Sequence, residues 1–339
     1  MNKLIKIDEY SKTPKYKQII HSILEGIEDG SIQLGDKLPS VNRLLIDFDI
    51  SRDTIVKAYD HLQKNDLVES VRGKGYFVKG VDTKRKAKVL LLFNKLSLHK
   101  KIIYDAISTT LGDQASIDFY IYNNDYRLFK NYINAHLHEN YGHYVIITHF
   151  LEGGQDVHEV INQIPKDKLI LLDKKVDGVS GDYGAVYQEF AKDIYGALTE
   201  AIDLLRKFKT LKIIFPAHGY HPTEILSGFK KFCLEYDFDY DIVSDNEDYP
   251  IFPGDVFINV MEDDLVRLIK KAKAQNFIVG SDIGIISYNE TPLKEILLNG
   301  ITVISTDFYQ LGRSVSNMIL ENRREQIANP FHLIIRNSL

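Results

Sequence analysis

The residues of this sequence that could do chemistry form two groups of cations, with glycines or hydroxyls beside them. Arg72-Gly73-Lys74-Gly75 lies between two short apolar runs, and Ser51 is followed by Arg52, Thr54 and Lys57. The glycines permit the positive φ angles of a tight hairpin, and the cations can reach phosphates. Ser51 is a good helix N-cap, which places Arg52 and Thr54 in the first helical turn. The two groups predict a surface that contacts DNA.

Three predicted helices and a hairpin would position these cations. Apolar residues at three- and four-residue spacing predict a helix over Tyr16 to Asp29. A second helix starts at Ser40 and, after a very short connection, a third starts at Ser51. Helices joined so tightly form a helix-turn-helix, whose second helix enters the major groove with its first residues. Runs over Leu67 to Val71 and Tyr76 to Val78 predict the strands of a wing.

We predict no metal, no cofactor and no catalytic residues. His218-x-x-His221 and His136-x-His138 could suggest a metal site, but they have neither i, i+4 spacing nor cysteines to support one. The first pair is expected in a pocket wall and the second on a helix surface. The spacing of serines, histidines and acids defines no nucleophilic triad.

The composition narrows the class of protein. The 339 residues are enough for two or three domains, and the net charge is −5. Hydrophobic residues make up 44% and charged residues 26%, which is typical of soluble globular chains. No apolar run reaches the roughly 18 residues of a membrane span, so no membrane partner is expected. With no apolar leader and a single cysteine, Cys233, the sequence predicts a cytoplasmic protein.

Residues 89–339 show the pattern of an α/β fold. Short, continuous apolar runs alternate with amphipathic stretches, as in parallel strands covered by helices on both faces. Residues 80–88 are polar and basic, as in a linker. We predict a winged helix-turn-helix domain over 1–79, a linker over 80–88 and a larger domain over 89–339. The predicted strands of that domain are Lys88 to Phe93, Ile117 to Tyr122, Tyr144 to Thr148, Leu169 to Leu172, Lys212 to Phe215, Phe238 to Val243, Val256 to Val260, Ile283 to Ser287 and Thr302 to Ser305.

The N-terminal pattern resembles the winged helix of the GntR family. The resemblance lies in Leu38-Pro39-Ser40, Ser51-Arg52-Asp53-Thr54-Ile55 and Gly73-Lys74-Gly75-Tyr76-Phe77-Val78, in order and at the family's spacing. It implies DNA contacts by Ser40, Arg52, Thr54, Arg72, Gly73, Lys74 and Gly75. Two residues after Ser40 the family commonly has arginine, whereas here Asn42 is followed by Arg43. Either Asn42 reads a base edge, as asparagine can with adenine, or that contact is lost. The predicted DNA-contact set also includes Arg43, Ser51 and Lys57.

The C-terminal pattern resembles the LacI/GalR family. Asp282-Ile283-Gly284-Ile285-Ile286-Ser287-Tyr288-Asn289-Glu290 is similar to a strand and turn of that family, and Phe331 to Ser338 resembles its closing strand. Leu171-Leu172-Asp173 and Phe215-Pro216-Ala217-His218 resemble two further strand ends. The resemblance implies a two-lobed, periplasmic-binding-protein-like fold with parallel sheets and a ligand cleft. Asn289 replaces the family's usual aspartate, so the ligand contacts are expected to differ.

Ligands of such lobes bind just beyond the carboxyl ends of the strands. Acids and amides there suit a polyhydroxylated ligand, and tyrosines can stack on its apolar face. Glu262 and Asp263 also stand at the beginning of a predicted helix, where the helix dipole stabilises acidic side chains whether or not they bind a ligand. The residues predicted to bind the effector are Asn94, His99, Thr148, Lys174, Tyr187, Gln188, His218, His221, Glu262, Asp263, Tyr288, Asn289, Glu290 and Asp307.

Together these features predict a ligand-responsive transcriptional regulator that binds operator DNA as a homodimer. The expected effector is a monosaccharide, with a purine or another small metabolite as alternatives. An enzyme-like fusion, or a sugar-binding protein without gene control, is the competing class. The predicted wing, with its arginine and glycines, argues against both alternatives, because neither an enzyme nor a sugar-binding protein without gene control needs a DNA-contacting hairpin.

Overall fold

The computed structural model describes residues 4–80, 87–217, 219, 221–244 and 248–339. Its first part is a winged helix, in which three helices pack together and a two-stranded antiparallel hairpin follows them. Tyr59 is fully buried, and its ring stacks on that of Tyr76 at 4.2 Å, which ties the third helix to the hairpin. The elements are α1 (Lys15–Glu28), α2 (Val41–Phe48), α3 (Arg52–Lys64), β1 (Val68–Val71) and β2 (Gly75–Val78).

The rest of the chain alternates strands and helices. It first forms β3 (Ala87–Phe93), α4 (Leu98–Leu111), β4 (Ala115–Ile121), α5 (Tyr126–His136), β5 (His143–Ile147), α6 (Val157–Ile161), β6 (Leu169–Asp173) and β7 (Gly184–Tyr187). It continues with α7 (Phe190–Glu200), α8 (Ile202–Leu205), β8 (Thr210–Phe215), α9 (Glu224–Glu235), β9 (Asp239–Ser244), β10 (Asp255–Asn259), α10 (Glu262–Ala274), β11 (Gly284–Tyr288), α11 (Pro292–Ile296) and β12 (Thr302–Thr306). It ends with α12 (Phe308–Glu321), β13 (Gln326–Ala328) and β14 (Phe331–Ile334).

These strands form two six-stranded sheets, each the centre of one lobe. The first has the order β13-β7-β6-β5-β3-β4, and the second has the order β14-β12-β11-β10-β8-β9. The pairs are parallel, except that β14 runs antiparallel to β12. Every residue of β5, β6 and β10 is buried, because helices cover both faces of the sheets.

Three described segments cross between the lobes. The chain passes from β7 to α7, returns from β12 to α12, and crosses again from β13 to β14. Helix α12 packs on α4 in the first lobe, and α7 packs on α9 in the second. Because parallel strands end at the same edge of a sheet, the carboxyl ends of both sheets can face a common cleft.

The structure corrects the sequence-based elements at a few places. Strand β3 begins at Ala87, so residues 87 and 88, which were predicted as linker, belong to the strand. Residues 81–86 of the predicted linker lie outside the described residues. The prediction missed β7 and β13, which have four and three residues. Strands this short carry too little apolar pattern to stand out from the loops around them. The amphipathic stretch between β7 and β8 forms two helices, α7 and α8, rather than one.

A pair of helical glycines tests the packing that holds the second lobe. A Cβ atom at Gly228 in α9 would lie 2.0 Å from the carbonyl oxygen of Ala191 in α7, whereas one at Gly196 would meet nothing within 4 Å. We therefore expect Gly228→Ala to lower the free energy of unfolding by about 1–3 kcal/mol. Gly196→Ala should raise it by about 0.5–1 kcal/mol, because alanine loses less backbone entropy in a helix. Urea denaturation measures both values, and equal effects would contradict close packing of α7 on α9.

Candidate functional site

Polar residues form one row along the carboxyl edge of the first sheet. The strand register pairs Leu92 with Ile146, Ile147 with Leu172, and Asp173 with Tyr187. Continuing that register places Asn94, Thr148, Asp173 and Tyr187 side by side across four neighbouring strands. Asn94, Thr148 and Asp173 are all buried. Three sequence-predicted residues of this lobe, Asn94, Thr148 and Tyr187, are therefore brought together with Asp173.

Asp173 is the centre of a buried polar cluster. Its carboxylate accepts hydrogen bonds from Lys100 Nζ and Gln188 Nε2, and His149 Nε2 lies 3.0 Å from Oδ2. Burial alone would raise the pKa of Asp173, but the Lys100 ammonium and the His149 ring lower it below its usual range. The φ angle of Asp173 is 78°, a region that non-glycine residues rarely occupy. The cluster therefore holds an ionised, strained aspartate at the end of β6, with its charge balanced by Lys100.

The second lobe contributes the turn that follows β11. Asn289 has a φ of 64°, and its N–H donates to Ile304 O at 2.7 Å. Lys294 is buried, and its ammonium donates to the carbonyls of Tyr288 at 3.0 Å and Asn289 at 2.6 Å. Burial lowers the pKa of Lys294 to about 8, although nearby Glu262 and Glu290 act to raise it. Hydrogen bonds to its backbone thus fix the turn, whereas Asn289 Oδ1 has no hydrogen-bond partner among the described residues.

Direct contacts join the two lobes around these residues. His99 Nε2 of the first lobe lies 2.9 Å from Glu290 O of the second, while the His99 ring stacks within its own lobe on Phe308 of α12 at 4.5 Å. Lys174 Nζ lies 3.6 Å from Glu224 Oε1. Burial raises the pKa of the Tyr288 hydroxyl, and the charges of Asp193 and Asp173 add to this effect. Tyr288 of the second lobe therefore lies close to the aspartate cluster of the first.

Several buried polar atoms at the cleft make no hydrogen bond among the residues that the structure describes. They are Asn94 Oδ1, Thr148 Oγ1, Asp193 Oδ2, Tyr288 OH and Asn289 Oδ1. Buried polar groups are nearly always paired, so each such atom calls for a partner. Burial also raises the pKa of Asp193 to about 6. These atoms can donate to or accept from a small polar molecule held between the lobes.

The other residues predicted to bind the effector make different contacts in the structure. His221 Nε2 lies 3.1 Å from Met261 Sδ, and Lys175 Nζ lies 4.0 Å above the Tyr187 ring. Asp307 caps α12 by accepting from Gln310 N. Glu262 and Asp263 are exposed in the first turn of α10, as the helix-dipole alternative expects. Glu290 pairs with Arg336. His218 lies outside the described residues.

The predicted DNA-contact residues lie on the surface of the winged helix. Ser40 caps α2 by accepting from Arg43 N, and Ser51 caps α3 by accepting from Thr54 N. The wing has positive φ angles at Gly73 (74°) and Gly75 (110°), as the hairpin prediction required. Thr54 and Gly75 are half-buried, and the exposed members of the set are Ser40, Asn42, Arg43, Ser51, Arg52, Lys57, Arg72, Gly73 and Lys74.

Two of these cations already have intramolecular partners. Arg43 Nε lies 2.7 Å from Asp47 Oδ2, and Lys57 Nζ lies 4.1 Å above the Tyr16 ring. Contact of either residue with DNA would have to compete with these interactions, and it stays a prediction.

The predicted set lacked several residues that the structure places at the cleft, among them Asp173, Lys100 and Asp193. Asp173 ends a strand motif that the sequence did single out, but its central place depends on contacts from α4 and β5. Lys100 stands in helix α4 rather than at a strand end, and Asp193 stands in α7. A rule based on strand ends does not find residues that helices carry into the cleft.

The described residues contain no group of three or more His, Cys, Asp or Glu side chains placed to hold a metal ion. Within the same part of the chain, no helix is both long and apolar enough to cross a membrane.

Comparison with known proteins identifies relatives of the first part of the chain. Residues 15–78 match the gntR family of bacterial regulatory proteins. The chain is 35% identical over 98 residues to the HTH-type transcriptional repressor YtrA of Bacillus subtilis, a match that covers 29% of this chain and 72% of YtrA. It is 42% identical over 67 residues to the uncharacterized regulator YdfD of the same organism, which covers 20% of this chain and 14% of YdfD. The chain thus spans most of one relative but only a small part of the other.

Solved structures share the fold of most of the chain. The Lac repressor bound to ONPG in its repressed state is similar with a TM-score of 0.63 and 13% identity, over 88% of this chain and 95% of that chain. A LacI family transcriptional regulator from Lactobacillus casei with bound sucrose is similar with a TM-score of 0.59 and 13% identity, over 75% of this chain and 100% of that chain. The predicted architecture, a winged helix followed by two lobes with parallel sheets, is confirmed.

The buried His221 predicts a pH dependence of stability. Burial, together with the charges of Lys95 and His149, lowers the pKa of His221 to about 4. The unfolded chain therefore takes up this proton first as the pH falls, so the stability that His221 contributes above pH 6.5 is lost toward pH 4. Compared with His221→Gln, the wild type should lose up to about 3 kcal/mol more unfolding free energy between those pH values.

Urea denaturation at a series of pH values measures this difference. His138→Gln, a change at an exposed position of the first lobe, serves as the control and should follow the wild-type curve. Parallel curves for wild type and His221→Gln would show that His221 can be protonated in the folded protein.

Proposed function

Because the chain belongs to the gntR family of bacterial regulatory proteins, we propose that it is a DNA-binding transcriptional regulator whose two-lobed part binds a small effector. The observation that carries the effector half of the proposal is the set of unpaired, buried polar atoms from both lobes. A molecule that pairs with them would touch both sheets and so favour one arrangement of the lobes. The competing enzyme class has no support in the relatives, which are named as regulators.

The winged helix offers operator DNA a surface suited to groove and phosphate contacts. Arg52 is exposed in the first turn of α3, the end of a recognition helix that enters the major groove first. Arg72 and Lys74 flank Gly73 at the exposed tip of the hairpin, where cations can contact phosphates. A single winged helix has few contacts, so we propose that a homodimer reads two related half-sites. Such a regulator works in the cytoplasm.

Substitution of Arg52 tests this surface. Arg52→Ala should weaken binding to a duplex selected with the wild-type protein by about 5- to 150-fold, the value of one good contact to a base. Lys64→Ala removes an exposed cation from the other end of the same helix and should have little effect. Fluorescence anisotropy at fixed salt measures both. Equal losses for the two variants would contradict entry of the first turn of α3 into the groove.

The charge balance of the cleft favours a neutral, hydroxyl-rich effector. Lys100 already balances the charge of Asp173, so the cluster offers oxygen and nitrogen partners without a spare cation for an anionic ligand. Amide, hydroxyl and carboxyl groups of Asn94, Thr148 and Asp193 can each exchange a hydrogen bond with a sugar hydroxyl. The similar regulator from Lactobacillus casei holds sucrose. Sucrose is a disaccharide, so that comparison supports a sugar in general, and the effector that we propose is a monosaccharide.

Removal of one hydroxyl separates the role of Tyr288 in binding from its role in stability. The Tyr288 OH is buried without a partner, so Tyr288→Phe should leave the free energy of unfolding unchanged or raise it. The same change should weaken effector binding by about 5- to 100-fold, because a ligand hydroxyl then loses its buried partner. The ligand is a sugar found by thermal-shift screening of a monosaccharide panel, and calorimetric titration gives its affinity.

Tyr240→Phe is the control for this experiment, since Tyr240 is exposed on the edge strand β9. Normal sugar affinity in Tyr288→Phe would place the ligand away from β11. A large loss of stability in that variant would mean that the hydroxyl has a structural partner.

A further inference from the structure

The winged helix is attached to the first lobe by more than the chain between them. The segment just before α1 runs along β4, the edge strand of the first sheet. Lys12 N donates to Phe119 O at 2.6 Å, and Thr13 Oγ1 accepts from Phe119 N at 2.6 Å and donates to Ile117 O at 3.1 Å. Thr13 is buried by this contact. An open strand edge is a template for pairing, and here the chain's own N-terminal segment covers it.

A group of charged side chains lies beside this pairing. We call it the docking cluster, and it consists of His21 and Glu25 from α1, Lys88 from β3 and Asp118 from β4. Lys88 Nζ lies 2.7 Å from Glu25 Oε1 and 3.8 Å from Asp118 Oδ2, and His21 Nδ1 lies 3.4 Å from Asp118 Oδ1. Burial would raise the pKa of Asp118, but His21 and Lys88 lower it below its usual value. The cluster thus joins α1 to both strands through charges.

The contact is polar, and the two parts do not share a core. The apolar cluster of the winged helix contains no residue of the lobe, and the apolar clusters of the lobe contain none of the winged helix. A groove of about 1270 Å³ runs between them, lined by residues that include Lys6, Asp8 and Glu139. An interface held by hydrogen bonds and ion pairs, without a shared core, can open and close more readily than a buried one.

Docking leaves the predicted DNA-contact surface accessible. Arg52, Arg72 and Lys74 are exposed while Thr13 is bound to β4. The contact therefore does not block DNA. It instead fixes the direction in which α3 and the wing point relative to the lobe.

The strands that carry the docking cluster also end at the effector cleft. Lys88 stands at the beginning of β3, and Asn94 directly follows its end, about 20 Å away at the usual rise per residue. Asp118 stands in β4, which leads to Asn124, and Asn94 Nδ2 lies 2.7 Å from Asn124 Oδ1. A shift of these strands at the cleft would thus move the surface to which α1 is bound.

We propose that the edge of β4 and the docking cluster form a releasable docking surface for the chain's own winged helix, which fixes the spacing of the two winged helices in a dimer. The first half of this proposal concerns the free protein. The second half, on spacing, rests on the proposed binding of DNA by a dimer. In the docked state the dimer binds half-sites at one spacing only, whereas in the released state it binds half-sites at several spacings.

Hydrogen exchange on the full chain tests the docking. The test variant is Thr13→Val with Glu25→Gln, which changes only the winged-helix side of the contact. The control is Thr199→Val with Glu200→Gln, the same two substitutions in α7. The amide of Phe119 should exchange at least about tenfold faster in the test variant than in wild type and control. Equally fast exchange of Phe119 in wild type would overturn the proposal.

A duplex selected with wild-type protein tests the spacing. Insertion of about 5 base pairs, about half a helical turn, between the half-sites should weaken wild-type and control binding at least about 30-fold. The test variant should lose less than about threefold, because its winged helices are free to adjust. An equal loss in all three proteins would overturn the claim that docking sets the spacing. If selection yields no duplex, the proposed DNA function fails, and the exchange of Phe119 alone decides on the docking surface.

Discussion

The arrangement of the cleft depends on a buried carboxylate at the end of β6, which must be surrounded by cations and hydrogen-bond donors. Asp173 is 3% exposed, and an ionised group at such depth is tolerated only when cations and donors surround it. Lys100, His149 and Gln188 supply them from a helix, a neighbouring strand and the crossover to the second lobe. Removal of one partner of a buried ion pair typically lowers the free energy of unfolding by about 3–5 kcal/mol. The helix, the strand end and the crossover that carry the partners of Asp173 are therefore held in place together. Within this pairing, Lys100 balances the charge of Asp173, and the proposal of a hydroxyl-rich ligand rests on that balance.

The second lobe meets this cluster through one turn. Lys294 and Ile304 hold the backbone around Asn289, and His99 reaches Glu290 from the opposite lobe. The turn therefore presents Tyr288 and Asn289 to the cleft while its backbone stays fixed. A ligand that pairs with both lobes can shift their arrangement only by its differential affinity for the two states. The unpaired atoms on either side are the groups through which that difference would arise.

The sequence predicted the architecture better than the details of the cleft. Apolar runs and helix-capping residues predicted the winged helix and most strands, because the apolar residues of the sequence pattern are the ones that the fold buries. It missed β7 and β13, whose four and three residues carry too little apolar pattern to stand out from the surrounding loops. Strand-end reasoning named Asn94, Thr148 and Asn289, whose side-chain oxygens are buried without a hydrogen bond among the described residues, but it did not name Lys100 and Asp193, which belong to helices. Docking of Thr13 on Phe119 joins positions far apart in the chain, and no periodic pattern signals it.

The most direct test of coupling between the cleft and the DNA-contact surface is the affinity of the full chain for one selected duplex, measured with and without saturating sugar. Strands β3 and β4 connect the effector cleft to the docking cluster, so the sugar should change the dissociation constant for DNA. The expected change is about 5- to 150-fold, the usual range of coupling between two sites. By linkage, the duplex must change the affinity for the sugar by the same factor. A sugar that binds the wild type tightly and leaves DNA affinity unchanged would contradict control of DNA binding by the cleft.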